Sequence, residues 1–172
     1  MKILAIDQSR SGGWSLFDYE KKQLIDCGAF NFPSPKYTYP QAISQVKRYV
    51  LKLLKDTTAS AVFIEDIQLR RNVDSFKKLA QLQGVLVNAF IENEYLYDVI
   101  APSTWQAYCN ARGRTTKEIK NKTESVDISN KKKSKILSLT FVKDNFDIIT
   151  DNDNMADAIC IGWYSVNNIK IQ

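Results

Sequence analysis

Three carboxylates stand where a hydrolytic metal site would need them. Asp7 ends the apolar run 2-KILAID-7, Glu65 lies near the end of 59-ASAVFIED-66, and Asp157 sits in 151-DNDNMADAICIGW-163. The last stretch packs three aspartates and two asparagines into seven residues, and an apolar run follows directly. On a helix, Asp153 and Asp157 are four apart and share a face, while Asn154 lies three before Asp157 on the other flank. Such a helix presents Asp157, with a neighbour one turn earlier, toward whatever it packs on. Gathering carboxylates is costly, because like charges raise each other's pKa. A divalent cation relieves that cost, and two ions roughly 4 Å apart can clamp a phosphodiester and activate water.

The chain has no histidine. That excludes the usual Ser-His-Asp and Cys-His nucleophile systems and any His-bearing zinc site. Carboxylates and a hard metal are the hydrolytic tools that remain. A lone aspartate at a strand end is ordinarily a turn former, and Asp151 and Asp153 are ordinary first-turn acids that complement a helix dipole. The weight therefore rests on the set of three.

The elements that must position these acids read clearly along the chain. Residues 2–7, 12–18 and 23–32 form three strands, with YEKKQ as a hairpin turn. Residues 33–40 are a proline-rich loop. A helix over 41–55 carries Ile43, Val46, Val50, Leu53 and Leu54 on one face. Residues 59–66 are a fourth strand, with Glu65 beside Asp7 if the first and fourth strands run parallel. A long helix over 72–94 follows, capped by Asn72 or Asp74. Its main apolar face is Phe76, Leu79, Ala80, Val87, Phe90 and Ile91, broadened by Leu82, Val85, Leu86 and Ala89. That width fits either deep burial or a partner subunit. A fifth strand over 95–102 ends at Pro102. A short helix capped by Ser103 comes next, and helical patterns resume after residue 131 and in the aspartate-rich stretch. The order implies an α/β protein with a mixed five-stranded sheet and helices on both faces. Strand ends in such sheets are common ligand sites.

The 172 residues, 44% of them hydrophobic, suffice for one domain with a full core, and no internal repeat is present. No apolar run approaches the ~20 residues of a membrane span, and the N-terminus lacks the apolar region of a signal peptide. Cys27, Cys109 and Cys160 form no CxxC pair, which suits reduced thiols in a cytoplasm. Cys109 and Cys160 read as inert packing residues, and Trp105, Tyr108 and Trp163 as core.

Three pieces, 3-ILAIDQSRSGGWSLFD-18, 63-FIEDIQLRRNVDSFKKLAQLQG-84 and 151-DNDNMADAICIGW-163, resemble the RuvC-type Holliday-junction resolvases of the RNase H-like superfamily. The run of Glu65 followed by N-x-DS-x-x-K-L-x-Q-x-x-G is the most specific match. The similarity covers most of the chain in order, and its divergence and loop insertions point to a phage-encoded relative. It implies a single RNase H-like nuclease domain over 1–172, a homodimer, and Mg²⁺- or Mn²⁺-dependent nicking of four-way and other branched DNA. The products carry a 5′-phosphate and a 3′-hydroxyl. The family's catalytic, metal-binding acids fall on Asp7, Glu65 and Asp157, serving two ions per site.

Two departures stand out. The family's fourth acid usually lies three before the last one, where this chain has Asn154, with Asp153 beside it. Asp153 takes over through a small helix shift, or Asn154 serves as a neutral ligand, or the chain carries an inactivating Asp→Asn change. The family's apolar or aromatic residue after Glu65 is also missing. Arg70 and Arg71 stand in that loop as phosphate contacts, which hints at looser selectivity.

Residues 112–135 hold nine Lys/Arg against three acids, in a chain of net charge +5. Arg112, Arg114, Lys117, Lys120, Lys122, Lys131, Lys132 and Lys133 are candidate DNA contacts, acting by counterion release largely regardless of sequence. Gly113 lets the backbone approach closely. Lys117 is the candidate catalytic lysine near the scissile phosphate. Two other classes compete. One is a non-catalytic branched-DNA-binding protein with remnant acids. The other is an ATP-binding relative of actin and sugar kinases, using the 9-SRSGG-13 turn for phosphates, for which the chain is short.

Overall fold

A computed structural model describes residues 1–68, 72–112 and 135–171. The strands are β1 (Lys2–Asp7), β2 (Ser11–Asp18), β3 (Gln23–Asn31), β4 (Ala61–Glu65) and β5 (Leu96–Ile100). The described helices are α1 (Tyr39–Thr57), α2 (Val73–Glu92), α3 (Pro102–Tyr108), α4 (Ile136–Phe146) and α5 (Asp153–Asn168). One sheet runs in the order β3-β2-β1-β4-β5. The first three strands are antiparallel neighbours, whereas β4 joins β1, and β5 joins β4, in parallel. This is the mixed five-stranded sheet expected from the element order.

The period-two pattern of a strand buried on both faces explains the layering. In β1, Ile3 and Ala5 point into a core shared with Phe63, Trp105, Leu139 and Ile159. Leu4 and Ile6 point into a second core, with Val46, Val50, Leu82 and Leu86. Helices α1 and α2 therefore cover one face, and α3, α4 and α5 the other. Among the described residues, no helix is long and apolar enough to cross a membrane.

Several local expectations are corrected. Helix α1 opens at Tyr39 rather than Gln41, since Pro40 fits a first helical turn and the Thr38 N–H donates to Gln41 Oε1 at 2.9 Å. Its buried stripe is Ala42, Val46, Val50 and Leu54, with Ile43 and Leu53 at the margin. Ser103 does not cap α3. Ala101 holds that position and Pro102 begins the helix, where its missing N–H costs nothing. Asn72 caps α2, accepting from the Ser75 N–H at 3.0 Å.

The face of α2 turned to the sheet is Leu82, Leu86, Ala89 and Phe90, so of the expected main face Phe90 is buried, joined by Leu82, Leu86 and Ala89 from the flank. Val73 and Ile91, on the opposite side, are 52% and 58% exposed. Tyr108 is also exposed and stacks edge-on against Tyr164 instead of entering the core. Trp105 and the two thiols of Cys109 and Cys160 are buried, as expected.

A carboxylate cleft at the strand ends

The parallel register of β1 and β4 pairs Ile6 with Ile64. Asp7 and Glu65 follow on adjacent strands and emerge at the same edge of the sheet. The third acid comes from α5, whose first turn lies across β2. Asn152 caps that turn, accepting from the Met155 N–H at 2.9 Å, so Asp151 lies before the helix and only Asp153 is a first-turn acid. Gly13 permits this approach. A Cβ there would lie 2.0 Å from the Asn154 carbonyl oxygen, which no side chain survives. Ser11, Gly12 and Gly13 are thus strand residues that let a helix close in, not a phosphate loop.

A cleft of about 490 Å³ results, and Asp7, Gln8, Glu65, Lys135, Asn154 and Asp157 are among its lining residues. The carboxylates ring this cleft without closing into a cluster. Among the described residues, no three His, Cys, Asp or Glu side chains form a ready-made metal-ligand group.

The electrostatics are those of acids held out of water. Burial raises the Asp7 pKa well above its ordinary value, and the charges of Asp157 and Glu65 add to the rise, while Lys135 opposes it. Burial pushes Asp157 up to about 6, although a hydrogen bond from Ser138 and the charge of Lys135 pull the other way. Glu65 is steered from two directions. The Trp105 indole Nε1 donates to its Oε1 at 3.0 Å, and the Gln8 amide donates to its main-chain carbonyl at 2.8 Å.

The donor set fits a hard divalent cation. It consists of carboxylate and amide oxygens alone, the ligand type such ions take. The raised pKa values mark a place where added positive charge would be welcome.

Asp153 and Asn154 are sorted by their partners. Asp153 forms an ion pair with Lys135 and is not among the cleft-lining residues. Asn154 lines the cleft, and its Nδ2 donates to the Ser11 carbonyl at 2.7 Å and reaches the Ser11 Oγ at 3.4 Å. Its Oδ1 is left to face other partners.

Of the expected DNA contacts, Arg112 is described and exposed. Arg70, Arg71, Gly113, Arg114, Lys117, Lys120, Lys122, Lys131, Lys132 and Lys133 lie outside the described residues. Three contributors escaped the sequence reading. Lys135 is the last lysine of 131-KKKSK-135, and its position just before an apolar helix was the available signal. Trp105 looked like core, which it is, but its N–H needs a partner and finds Glu65. Gln8 offered no signal beyond following Asp7.

The comparisons with known proteins agree with this architecture. Residues 3–162 match the family model described as crossover junction endodeoxyribonuclease RuvC. A curated protein of that name from Pelodictyon phaeoclathratiforme is 26% identical over 121 residues, covering 69% of this chain. The match spans 63% of that relative, less than two thirds of its length. The structure of T. thermophilus RuvC in complex with a Holliday junction substrate superposes with a TM-score of 0.67 at 16% identity, covering 98% of this chain and 96% of that one. Fowlpox virus resolvase, solved with Holliday junction DNA, gives 0.57 at 14% identity, covering 98% and 99%. The RNase H-like fold expected from the motifs is therefore the fold observed, and with the family model spanning nearly the whole chain, this protein belongs to the RuvC family of crossover junction endodeoxyribonucleases.

Proposed function

We propose that this chain is a single-domain, divalent-metal-dependent endonuclease that nicks four-way DNA junctions, leaving a 5′-phosphate and a 3′-hydroxyl. The observation that carries this reading is the convergence of Asp7, Glu65 and Asp157 on one cleft in a chain that matches the RuvC family over residues 3–162. The cation is Mg²⁺ or Mn²⁺, with two ions per site. When bound, it supplies Lewis acidity and a water made nucleophilic at neutral pH. Asp7, Glu65 and Asp157 are its charged ligands, and Asn154 is the neutral fourth, because Asp153 is already engaged by Lys135.

The remaining groups serve these four. Trp105 and Gln8 hold Glu65 at its side chain and its backbone. Lys135 offsets part of the carboxylate charge and lies where a phosphate would approach. Gly13 lets α5 sit close enough for Asp157 to reach the strand ends. The basic residues of 112–135, Lys117 included, carry the phosphate contacts.

The acting form is a homodimer, located in the cytoplasm. Its support is the outer face of α2, where Val73, Ala80, Gly84 and Ile91 follow one another at helical spacing. A Cβ on Gly84 would meet nothing, so this glycine leaves a shallow notch in mid-helix that a second helix fills.

The test is incubation of the purified protein with a labelled four-way junction, a fork, a flap and a duplex, in Mg²⁺ or Mn²⁺. Paired nicks in the junction that vanish with chelator and in Asp7→Asn are expected. Tight junction binding without cleavage in either metal would instead identify a binding protein.

A further inference from the structure

Gln8 is the first residue past β1, and it joins the two strands that carry Asp7 and Glu65. Its side chain is 4% exposed. Its Nε2 donates to the Glu65 main-chain carbonyl at 2.8 Å. Its Oε1 is buried and accepts from no group among the described residues. The amide cannot relieve this by flipping, because a flip would set Oε1 against the Glu65 carbonyl oxygen. The Glu65 backbone therefore fixes which end of the amide is the oxygen and where it sits. Gln8 lines the same cleft as Asp7, Glu65, Asn154 and Asp157.

A buried acceptor without a donor is costly, and native proteins keep few of them unless an ion or water satisfies the group. A leucine or methionine would fill the same space without the orphaned oxygen, giving up only the donor to the Glu65 carbonyl.

We propose that the Gln8 side-chain oxygen is a built part of the cation site, a neutral acceptor for the water shell of the divalent ion held by Asp7 and Glu65. This rests on the metal-dependent reading above and adds a residue to it. Hard cations such as Mg²⁺ retain several waters, and each such water is a strong, polarised donor that needs an acceptor. A neutral oxygen meets that need without a further negative charge among acids that already repel one another. Partners of this outer kind, lost by mutation, typically cost 10–100-fold in metal affinity. Gln8 is accordingly a positioning residue, acting through the ion's water and through the Glu65 backbone.

The experiment measures Mn²⁺ and Mg²⁺ affinity by calorimetry, and the metal-induced rise in Tm, for wild type, Gln8→Met and Gln8→Glu at pH 8, without DNA. Wild type is expected to bind and to be stabilised by the metal. Gln8→Met should bind at least ~10-fold more weakly. Gln8→Glu restores a cleft oxygen but loses the donor to Glu65, so it should bind metal at least as tightly as wild type despite a lower metal-free Tm.

A merely structural strap predicts the opposite pattern: both variants lose metal-free stability and both keep wild-type metal affinity. That result overturns the inference while leaving the metal-dependent reading intact. If Gln8→Met does not fold, a folded Gln8→Glu that binds metal more weakly than wild type also overturns it. A wild-type chain that binds neither ion overturns both.

Discussion

Trp105 donates its indole N–H to Glu65 Oε1 at 3.0 Å from a ring that is only 2% exposed, so a core residue of α3 sets the position of an acid at the end of β4. The bond links the packing of one face of the sheet to the carboxylate cleft at its strand ends. Trp105→Phe keeps most of the apolar contact and removes the donor. Junction cleavage should fall by about tenfold, and stability by roughly 0.5–1.5 kcal/mol, the usual net contribution of one hydrogen bond. Single-turnover cleavage at saturating Mg²⁺ and denaturant unfolding check the two effects separately.

Asp157 ties metal-free stability to pH. Its pKa is about 6 in the folded protein against an ordinary 3.8. Between those values the folded chain holds more protons than the unfolded one, so stability falls as pH rises through this window. Asp7, also shifted upward, contributes in the same direction. Asp157→Asn should therefore raise the metal-free Tm at pH 8, by on the order of 1–3 kcal/mol in stability, and the gain should shrink toward pH 4. Thermal melts from pH 4 to pH 8 in chelator test this.

Divalent cations must compete with the same protons. Mg²⁺ affinity of the wild type should fall as pH drops below about 6, where Asp157 takes up its proton. Lys135→Ala removes the cation that holds both Asp7 and Asp157 down, so the fall should begin at higher pH. Calorimetric titrations with Mg²⁺ at stepped pH give the readout.

Asn154 occupies a site that demands an amide. Its Nδ2 donates to the Ser11 carbonyl at 2.7 Å, a bond that a carboxylate cannot make. Asn154→Asp should lower metal-free stability at pH 8 by roughly 1–3 kcal/mol, through a lost donor and an added like charge. Saturating Mg²⁺ should recover most of the loss. Tm with and without metal measures both.

The proposed dimer face can be tested at Gly84. In an isolated chain, Gly84→Ala should stabilise α2 by about 0.5–1 kcal/mol, because a Cβ there meets nothing. Gly84→Leu should fold equally well but fill the notch a second helix needs. Light scattering should then report a dimer for wild type and a monomer for Gly84→Leu. A wild type that stays monomeric at high micromolar concentration contradicts the proposed dimer face.

Much of this protein is determined locally and is therefore legible in its sequence. The unbroken apolar run 3-ILAI-6 commits β1 to a sheet covered on both faces, and a chain without histidine leaves carboxylates as the natural tools for any hydrolytic chemistry. The strand-end positions of Asp7 and Glu65 follow from where the apolar runs stop. Asp157 follows from helical spacing against Ala156, Ile159 and Cys160. What remained open depended on how the elements rotate and slide against one another.

Spacing alone offered both Asp153 and Asn154. Packing of α5 on Gly13 turned Asn154 into the cleft and Asp153 toward Lys135. The buried stripe of α2 is ambiguous in the sequence for the same reason, since a helix apolar on several sides does not say which side meets the sheet. Trp105 and Gln8 gain their roles from neighbours 40 and 57 residues away in the chain. Contacts that distant are set by the register of β1 on β4 and by the seating of α3, which only the tertiary structure decides.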